Sequence, residues 1–303
     1  MSEVVRQLGR LRKIGGRASP SIVNPYLRFA SPGHTASPIP VREIVASGAR
    51  REGLRQRLEV PGVRLRATEQ VQFCRAAILE FGALPDADRR YRPDNGRPDN
   101  GMFGYADARS TYAIMRRFKP KRIIEIGSGQ SSALLLDTCD TVPELAQTEL
   151  TFIEPDPVRL KPLLTPADWQ RCDIRQSIVQ DAPSSLFAAL EADDILFIDS
   201  SHATKTGRDV EFLLRDVVPT LTPGVLVHIN DISWPFELPE AWIGHGHAWN
   251  EAHAVRAFLQ FNDSFDIELF NAYLRRHHAA VFAGKLPEFT QSDCGSLWIR
   301  RTR

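Results

Sequence analysis

The sequence is poor in features that mark several common protein classes. Its 303 residues include only four cysteines, widely separated and without a Cys-x-x-Cys pair, which argues against a structural zinc site or a disulfide framework. No apolar run reaches the ~20 residues needed to span a bilayer. No long apolar segment precedes a small-residue cleavage site, and the net charge of +1 gives no field that favours nucleic acid. We therefore expect a cytoplasmic protein with neither a membrane nor a nucleic acid as its partner.

Three segments differ in composition and pattern. Residues 1–60 are rich in Arg, Pro and Ser and only weakly periodic, which predicts a basic, Pro/Ser-rich N-terminal extension. Residues 61–118 carry two helical patterns, Thr68–Phe81 with Thr68 as its N-cap and Asp107–Phe118. We expect this second segment to form a helical lid or a substrate-side region, and it could also form a homodimer contact.

Residues 119–303 alternate between strand-like and helix-like stretches. The apolar, β-branched runs are RIIEIG, LTFIEP, DIRQSIV, DILFIDS, GVLVHIND, FDIELF and SLWIR. Helical stretches separate the first five runs, at about Ser132–Cys139, Pro157–Leu164, Ser184–Leu190 and Lys205–Val217. This pattern predicts an α/β fold with a Rossmann-like, doubly wound, seven-stranded and mostly parallel sheet, covered by helices on both faces. Ligands of such sheets bind beyond the carboxyl ends of the strands.

The turn after the first strand, GSGQSS at 127–132, lacks the parts of two common phosphate-binding loops. Ser132 stands where a dinucleotide fingerprint has its third glycine, and no Gly-Lys-Ser/Thr follows. The sequence also lacks a Tyr-x-x-x-Lys pair. An NAD-dependent oxidoreductase or epimerase is therefore disfavoured, although it stays open as an alternative.

Acidic side chains close four of the predicted strands. Glu154 ends FIEP, where an acid can accept both hydroxyls of a ribose, and Asp181 in VQDAP could read an adenine amino group. Glu125 lies within the end of the first strand, where a buried acid suggests a positive or amino-bearing ligand. Asp199 closes FIDSSH. Because no basic residue stands in the first turn, this edge suits a ribose-bearing cation better than a pyrophosphate.

These motifs resemble those of the class I S-adenosylmethionine-dependent methyltransferases over about residues 105–303. IIEIGSGQSS is similar to their first motif, FIEP to the ribose motif, VQD to the adenine-side motif and ILFIDSSH to the fourth motif. More narrowly, DILFIDSSH, KTGRDV, PGVLVHINDI and WNEAHAVRAFLQFN resemble a bacterial branch of small-molecule or sugar methyltransferases. The resemblance implies S-adenosyl-L-methionine as the cofactor, bound by Glu125, Gly127, Gly129, Ser131, Glu154 and Asp181.

The predicted chemistry centres on two aspartates that end neighbouring strands. Since strands lie about 4.8 Å apart, Asp199 and Asp231 could share a divalent cation such as Mg²⁺, with Asn230 as a further oxygen ligand. The arrangement is similar to that of catechol-type methyltransferases, although those have Asp-Asn where this chain has Asn-Asp. Strand alternation would point Asn230 and Asp231 in opposite directions, so that one of them is an easier ligand than both.

His202, in DSSHATKTGRDV, is the second candidate for proton removal. An imidazole with a near-neutral pKa suits a general base, whereas a polar loop histidine is the plainer interpretation. We hypothesise that His202, a metal at Asp199 and Asp231, or both, deprotonate a small-molecule or saccharide acceptor, methylated at oxygen. A non-catalytic methyltransferase-like protein and an RNA methyltransferase are further alternatives. The chain shows neither a recognisable RNA-binding module nor an NPPY-type tetrapeptide.

Overall fold

The computed structural model describes residues 37, 39, 48–81, 84–85, 90–92 and 101–303. Most of the predicted N-terminal extension lies outside the described residues. The chain divides into two compact units, one of Met1–Arg50 with Pro239–Ala248 and one of Arg51–Leu238 with Trp249–Arg303. Among the described residues, no helix is both long enough and apolar enough to cross a membrane.

The second unit is built on one seven-stranded sheet. Its strands are β1 (Arg122–Ile126), β2 (Glu149–Ile153), β3 (Asp173–Arg175), β4 (Ile195–Ile198), β5 (Leu226–Ile229), β6 (Phe265–Phe270) and β7 (Leu297–Arg301). Their order is β3-β2-β1-β4-β5-β7-β6. The first five strands pair in parallel, and β7 runs antiparallel to both β5 and β6. All seven predicted strands are confirmed. The order differs from that of dinucleotide-binding sheets because β7 stands between β5 and β6.

Helices precede and connect these strands. The α-helices are α1 (Gly48–Arg55), α2 (Ala67–Phe73), α3 (Tyr105–Phe118), α4 (Gln130–Thr141), α5 (Pro166–Arg171), α6 (Ser184–Ala188), α7 (Asp209–Phe212), α8 (Glu240–Gly244), α9 (Glu251–Leu259), α10 (Asn271–His277) and α11 (Glu288–Gln291). Two of them continue as π-helical turns, α2 into Cys74–Ile78 and α7 into Leu213–Val217. Short 3-10 turns complete the connections at Pro143–Leu145, Lys161–Leu163, Val179–Asp181, Val218–Thr220 and Ala279–Val281.

The core lies on both faces of the sheet, as continuous apolar strands require. Along β1, Ile123 packs into the apolar cluster on one face, while Ile124 and Ile126 pack into the cluster on the other. Glu125 therefore shares its face with Ile123, because side chains alternate along a strand. This places a buried carboxyl group on one face of the sheet, just before the turn that follows β1.

Two predicted helices differ in their details. Thr68 is not an N-cap: α2 begins at Ala67 after Arg66, which has a left-handed backbone with φ 52°. The predicted helix Pro157–Leu164 is reduced to the 3-10 turn Lys161–Leu163. A separate helix, α5, follows because Thr165 accepts a hydrogen bond from the Asp168 backbone and so caps it.

The helix α3 confirms the predicted pattern from Asp107, and it is packed more deeply than an external helix. Ten consecutive residues, from Ala106 to Met115, are buried. The helix is therefore part of the core, and a lid or dimer role for the 61–118 segment stays a prediction.

Candidate active site

The turn after β1 brings the ends of two strands together. Gly127 has φ +82°, and a Cβ added there would overlap the backbone oxygen of Asp199. The Asp199 amide in turn donates to the carbonyl of Ile126 at 2.8 Å. Only glycine fits this position, because its backbone is left-handed and the end of β4 occupies the space of a side chain.

Glu125 is fully buried beneath this turn. Ser131 Oγ donates to its Oε1 at 2.6 Å, and Ser132 Oγ donates to its Oε2. Burial raises the pKa of Glu125 to about 8, although the serine hydroxyls lower it in part. Both carboxyl oxygens already have partners on the first turn of α4. Glu125 therefore ties α4 to β1, and its predicted contact with a cofactor stays a prediction.

The remaining predicted residues of the first turn are anchored to the start of α4. The Gly129 amide donates to Ser132 Oγ at 2.9 Å. Ser131 is buried against Glu125, so its hydroxyl is engaged by that carboxyl. A Cβ at Gly129 would meet nothing nearer than Arg159 Cβ, at 3.8 Å. Gly129 is thus not constrained sterically in the way that Gly127 is.

Glu154 lies beyond β2 and faces the same turn. Its Oε2 accepts from the Ser128 amide at 3.1 Å, and its Oε1 accepts from the Asp156 amide at 2.7 Å. These two hydrogen bonds orient a half-buried carboxylate beside the glycine turn, where the sequence predicts a ribose acid. Asp181 is an exposed residue at the end of the 3-10 turn that follows β3, and its adenine-side role stays a prediction.

Three predicted catalytic residues meet at the ends of β4 and β5. Nε2 of His202 lies 3.3 Å from Asp199 Oδ1 and 3.4 Å from Asp231 Oδ2. One ligand atom from each of the three residues lies within 4.8 Å of the other two. Two carboxylates and an imidazole at these distances can hold a divalent cation.

The predicted strand alternation does not apply at the end of β5. The strand stops at Ile229, and Asp231 has a left-handed backbone with φ 58°. The chain therefore turns, and Asn230 and Asp231 both reach the cluster. Asn230 Nδ2 donates to Asp199 Oδ1 at 3.3 Å, so in this orientation the amide nitrogen, rather than the oxygen, faces the carboxylate. Asn230 as a metal ligand stays a prediction.

A buried glutamate that the sequence reasoning did not single out holds His202. Nδ1 of His202 lies 2.8 Å from Glu251 Oε2, and the Trp249 ring stands 4.5 Å from the imidazole. Burial lowers the pKa of His202, but its hydrogen bonds to Asp199 and Glu251 outweigh this and raise it to about 11. Burial also raises the pKa of Glu251, and it raises that of Asp231 to about 7.

The loop that carries His202 is fixed by the start of α9. The carbonyl of His202 accepts from the amides of Asn250 and Glu251 at 3.0 and 3.2 Å. The Asn250 side chain forms two hydrogen bonds to the Thr204 backbone, at 2.6 and 3.2 Å. The motif WNEAH therefore supplies three consecutive residues that position one histidine. Its only signal in the sequence is the family-like motif itself, since nothing in its spacing relates it to His202.

Several buried oxygen atoms lie near the ends of β4 and β5. Among the residues that the structure describes, the side-chain oxygens of Ser200, Thr204 and Asn230 have no hydrogen-bond partner. Native proteins leave few buried polar atoms unpaired, and such atoms commonly mark a ligand, ion or water site. These atoms follow β4 and β5, beside the predicted cation cluster, so the edge fits a bound polar ligand. His228, within β5, is instead a core histidine as predicted, with Nε2 2.7 Å from Ser296 Oγ.

The chain is similar to known methyltransferase domains. Residues 124–232 match a family described as a methyltransferase domain. An uncharacterized protein of Archaeoglobus fulgidus is 28% identical over 166 residues, which cover 53% of this chain and 73% of the relative.

Two solved structures are similar to this chain. An SAH-bound methyltransferase of Podospora anserina is 16% identical, with a TM-score of 0.42 over 84% of this chain and 95% of that one. A coclaurine N-methyltransferase bound to N-methylheliamine and SAH is 10% identical, with a TM-score of 0.35 over 98% and 93% of the two chains.

The matched domain runs from β1 to just beyond β5. It therefore contains the glycine turn, Glu154, Asp199 and Asp231, which the fold brings to one edge of the sheet. The domain match and this fold agree that residues 124–232 form a methyltransferase-like domain on a Rossmann-like sheet. The close approach at Gly127 and the oriented carboxylate of Glu154 are compatible with S-adenosyl-L-methionine as a methyl donor.

Proposed function

We propose that this enzyme methylates a hydroxyl oxygen of a neutral, polyhydroxylated small molecule such as a saccharide. The observation that carries the proposal is the excess of hydrogen-bond acceptors at the ends of β4 and β5. Asp199, Asp231 and Glu251 contribute carboxyl groups within hydrogen-bond or ion-pair distance of one imidazole. A ligand rich in hydroxyl donors would satisfy such acceptors, whereas a carboxylate would be repelled.

We further propose that Asp199, His202 and Asp231 hold a divalent cation. The paired carboxylates and the orphaned oxygen of Asn230 support it, because hard cations prefer oxygen ligands. A bound cation such as Mg²⁺ would orient the acceptor hydroxyl and lower its pKa. His202 would have to lose its proton before it could bind the cation, and Glu251 would then keep the imidazole oriented through Nδ1.

When no cation is bound, the pKa directions favour Asp231 over His202 as the group that takes the acceptor's proton. A pKa of about 11 keeps His202 protonated near neutrality, so it has no free nitrogen lone pair. The pKa of Asp231, raised to about 7 by burial, matches that of a general base at neutral pH. Methyl transfer otherwise depends mainly on the in-line placement of donor and acceptor.

The test is turnover on an acceptor panel with labelled S-adenosylmethionine, with added Mg²⁺ or with a chelator. We expect neutral hydroxyl acceptors to be methylated and the chelator to abolish turnover without affecting cofactor binding. His202→Ala and Asp231→Ala should lose turnover, whereas Asp216→Asn, at an exposed acid paired with Arg215, should keep it. Full turnover in both alanine variants would overturn the catalytic assignment. Preferred methylation of carboxylates or amines would overturn the acceptor class, and methylation of RNA instead would revive the nucleic-acid alternative.

A further inference from the structure

Asp107 is a buried acid that takes no direct part in the proposed chemistry. It lies in the first turn of α3 and is 5% exposed. Its carboxyl oxygens accept from the Gly295 amide at 2.8 Å, the Ser296 amide at 3.0 Å and Asn271 Nδ2 at 2.7 Å. A helix that precedes β1 is thereby attached to the two residues that lead into β7.

The segment held by Asp107 packs directly against Asp231. A Cβ added at Gly295 would lie 2.7 Å from Asp231 Cα and 2.9 Å from its backbone nitrogen. The carbonyl of Gly295 accepts from the Ile232 amide at 2.8 Å. Gly295 therefore borders the backbone of Asp231 on one side and binds the next residue on the other.

The backbone of Asp231 needs such support. Its φ of 58° lies in the left-handed region, which costs free energy for a residue with a side chain. Conformations of this kind persist where the surroundings enforce them. The same conformation turns the carboxyl of Asp231 towards His202, at 3.4 Å from Nε2.

We infer that Asp107 is a positioning residue for Asp231. It fixes the Gly295 segment, and that segment holds Asp231 in its left-handed conformation within the proposed cation cluster. The inference rests on the proposed function, since the part it assigns to Asp231 is that of a cation ligand. In Asp107→Asn, an amide nitrogen replaces one of the two carboxyl oxygens. This nitrogen is a donor, and it would face another donor, either a backbone N–H or Asn271 Nδ2. At least one buried donor would therefore lose its acceptor.

Asp194 provides a matched control at the amino ends of the parallel strands, whereas Asp231 lies at their carboxyl ends. Asp194 is 1% exposed and precedes β4. It accepts from the amides of Lys121, Arg122 and Glu191, each at 2.9 Å. Asp194→Asn therefore removes a similar set of buried hydrogen bonds without approaching Asp231.

The experiment measures two quantities in wild type, Asp107→Asn and Asp194→Asn: Mn²⁺ affinity by calorimetry, and hydrogen exchange of the Ile232 amide by NMR. We expect Asp107→Asn to weaken Mn²⁺ binding about 10- to 100-fold and to accelerate Ile232 exchange, with the affinity for S-adenosylhomocysteine unchanged. Asp194→Asn should destabilise the fold but leave both quantities within about twofold of wild type. If Asp107→Asn does not fold, Asn271→Ala removes one donor to Asp107 and should shift both quantities in the same direction.

The two readouts separate the inference from the proposed function. If wild type binds no Mn²⁺ while Ile232 exchange is faster in Asp107→Asn alone, the cation proposal fails and the positioning of Asp231 stands. Unchanged Ile232 exchange in Asp107→Asn would overturn the inference, as would equal effects of the two aspartate variants. Faster exchange with wild-type Mn²⁺ affinity, in a protein that does bind Mn²⁺, would also overturn it.

Discussion

Replacement of Gly127 by alanine is the most specific perturbation of the turn after β1, where we expect the cofactor to bind. The left-handed backbone costs an alanine about 1–2 kcal/mol. Its Cβ would also overlap the carbonyl oxygen of Asp199 and lie 2.7 Å from the carbonyl carbon, so the end of β4 must move by at least about 1 Å to restore normal contact. A displacement of about this size can cost on the order of 100-fold in function.

We therefore expect Gly127→Ala to weaken S-adenosylhomocysteine binding by about 100-fold, or about 2.7 kcal/mol, as measured by calorimetry. Gly224→Ala is the matched control, because Gly224 has φ +97° and its added Cβ would lie 2.5 Å from Ala192 Cβ. It precedes β5 at the other edge of the sheet. Thermal unfolding should show a loss of stability in both variants, but Gly224→Ala should bind normally. Normal binding by a folded Gly127→Ala would refute the reasoning.

Three further changes test other parts of the structure. Burial raises the pKa of Glu125 to about 8, so its contribution to stability is complete below pH 4.5 and is lost as the pH rises towards 8. Denaturant titrations should show this loss, up to about 1.4 kcal/mol per pH unit, in wild type relative to Glu125→Gln; parallel pH profiles would contradict it. Glu251→Gln should lower turnover about 10- to 100-fold at unchanged cofactor affinity, and wild-type turnover would exclude its role in orienting His202. Arg90→Ala should lower the free energy of unfolding by about 3–5 kcal/mol. The reason is that Arg90 donates two hydrogen bonds to the buried Asp168, at 2.8 and 2.9 Å. A loss below about 1 kcal/mol would show that this ion pair contributes little to stability.

Much of the fold follows from local patterns in the sequence. Continuous apolar runs gave all seven strands, and the parallel sheet placed Glu154, Asp199 and Asp231 at one edge. The strand order was not predictable in this way, because the insertion of β7 between β5 and β6 depends on pairing between distant segments. The missing helix at 157–164 has a local cause, since capping by Thr165 starts α5 further along the chain.

Contacts between distant segments also limited how much of the candidate site could be predicted from the sequence. Asp199 follows β4 directly and Asp231 lies two residues beyond β5, so strand-end reasoning found them. Glu251 reaches His202 from a separate helix, and the two are 49 residues apart in the sequence. Strand alternation also misjudged residues 230 and 231, because the backbone turns at Asp231 with φ 58°. Contacts set by long-range packing or by a positive φ leave little trace in local periodicity.

Calorimetric titration of the purified chain with S-adenosylhomocysteine, with NAD as the comparator, tests the central claim most directly. Glu154→Ala removes the carboxylate that two backbone amides orient beside the glycine turn. Glu149→Ala, at the exposed first residue of β2, the strand that Glu154 follows, serves as the control. The account predicts binding by wild type and Glu149→Ala, loss of binding in Glu154→Ala, and no binding of NAD. Binding of NAD in place of S-adenosylhomocysteine would contradict it.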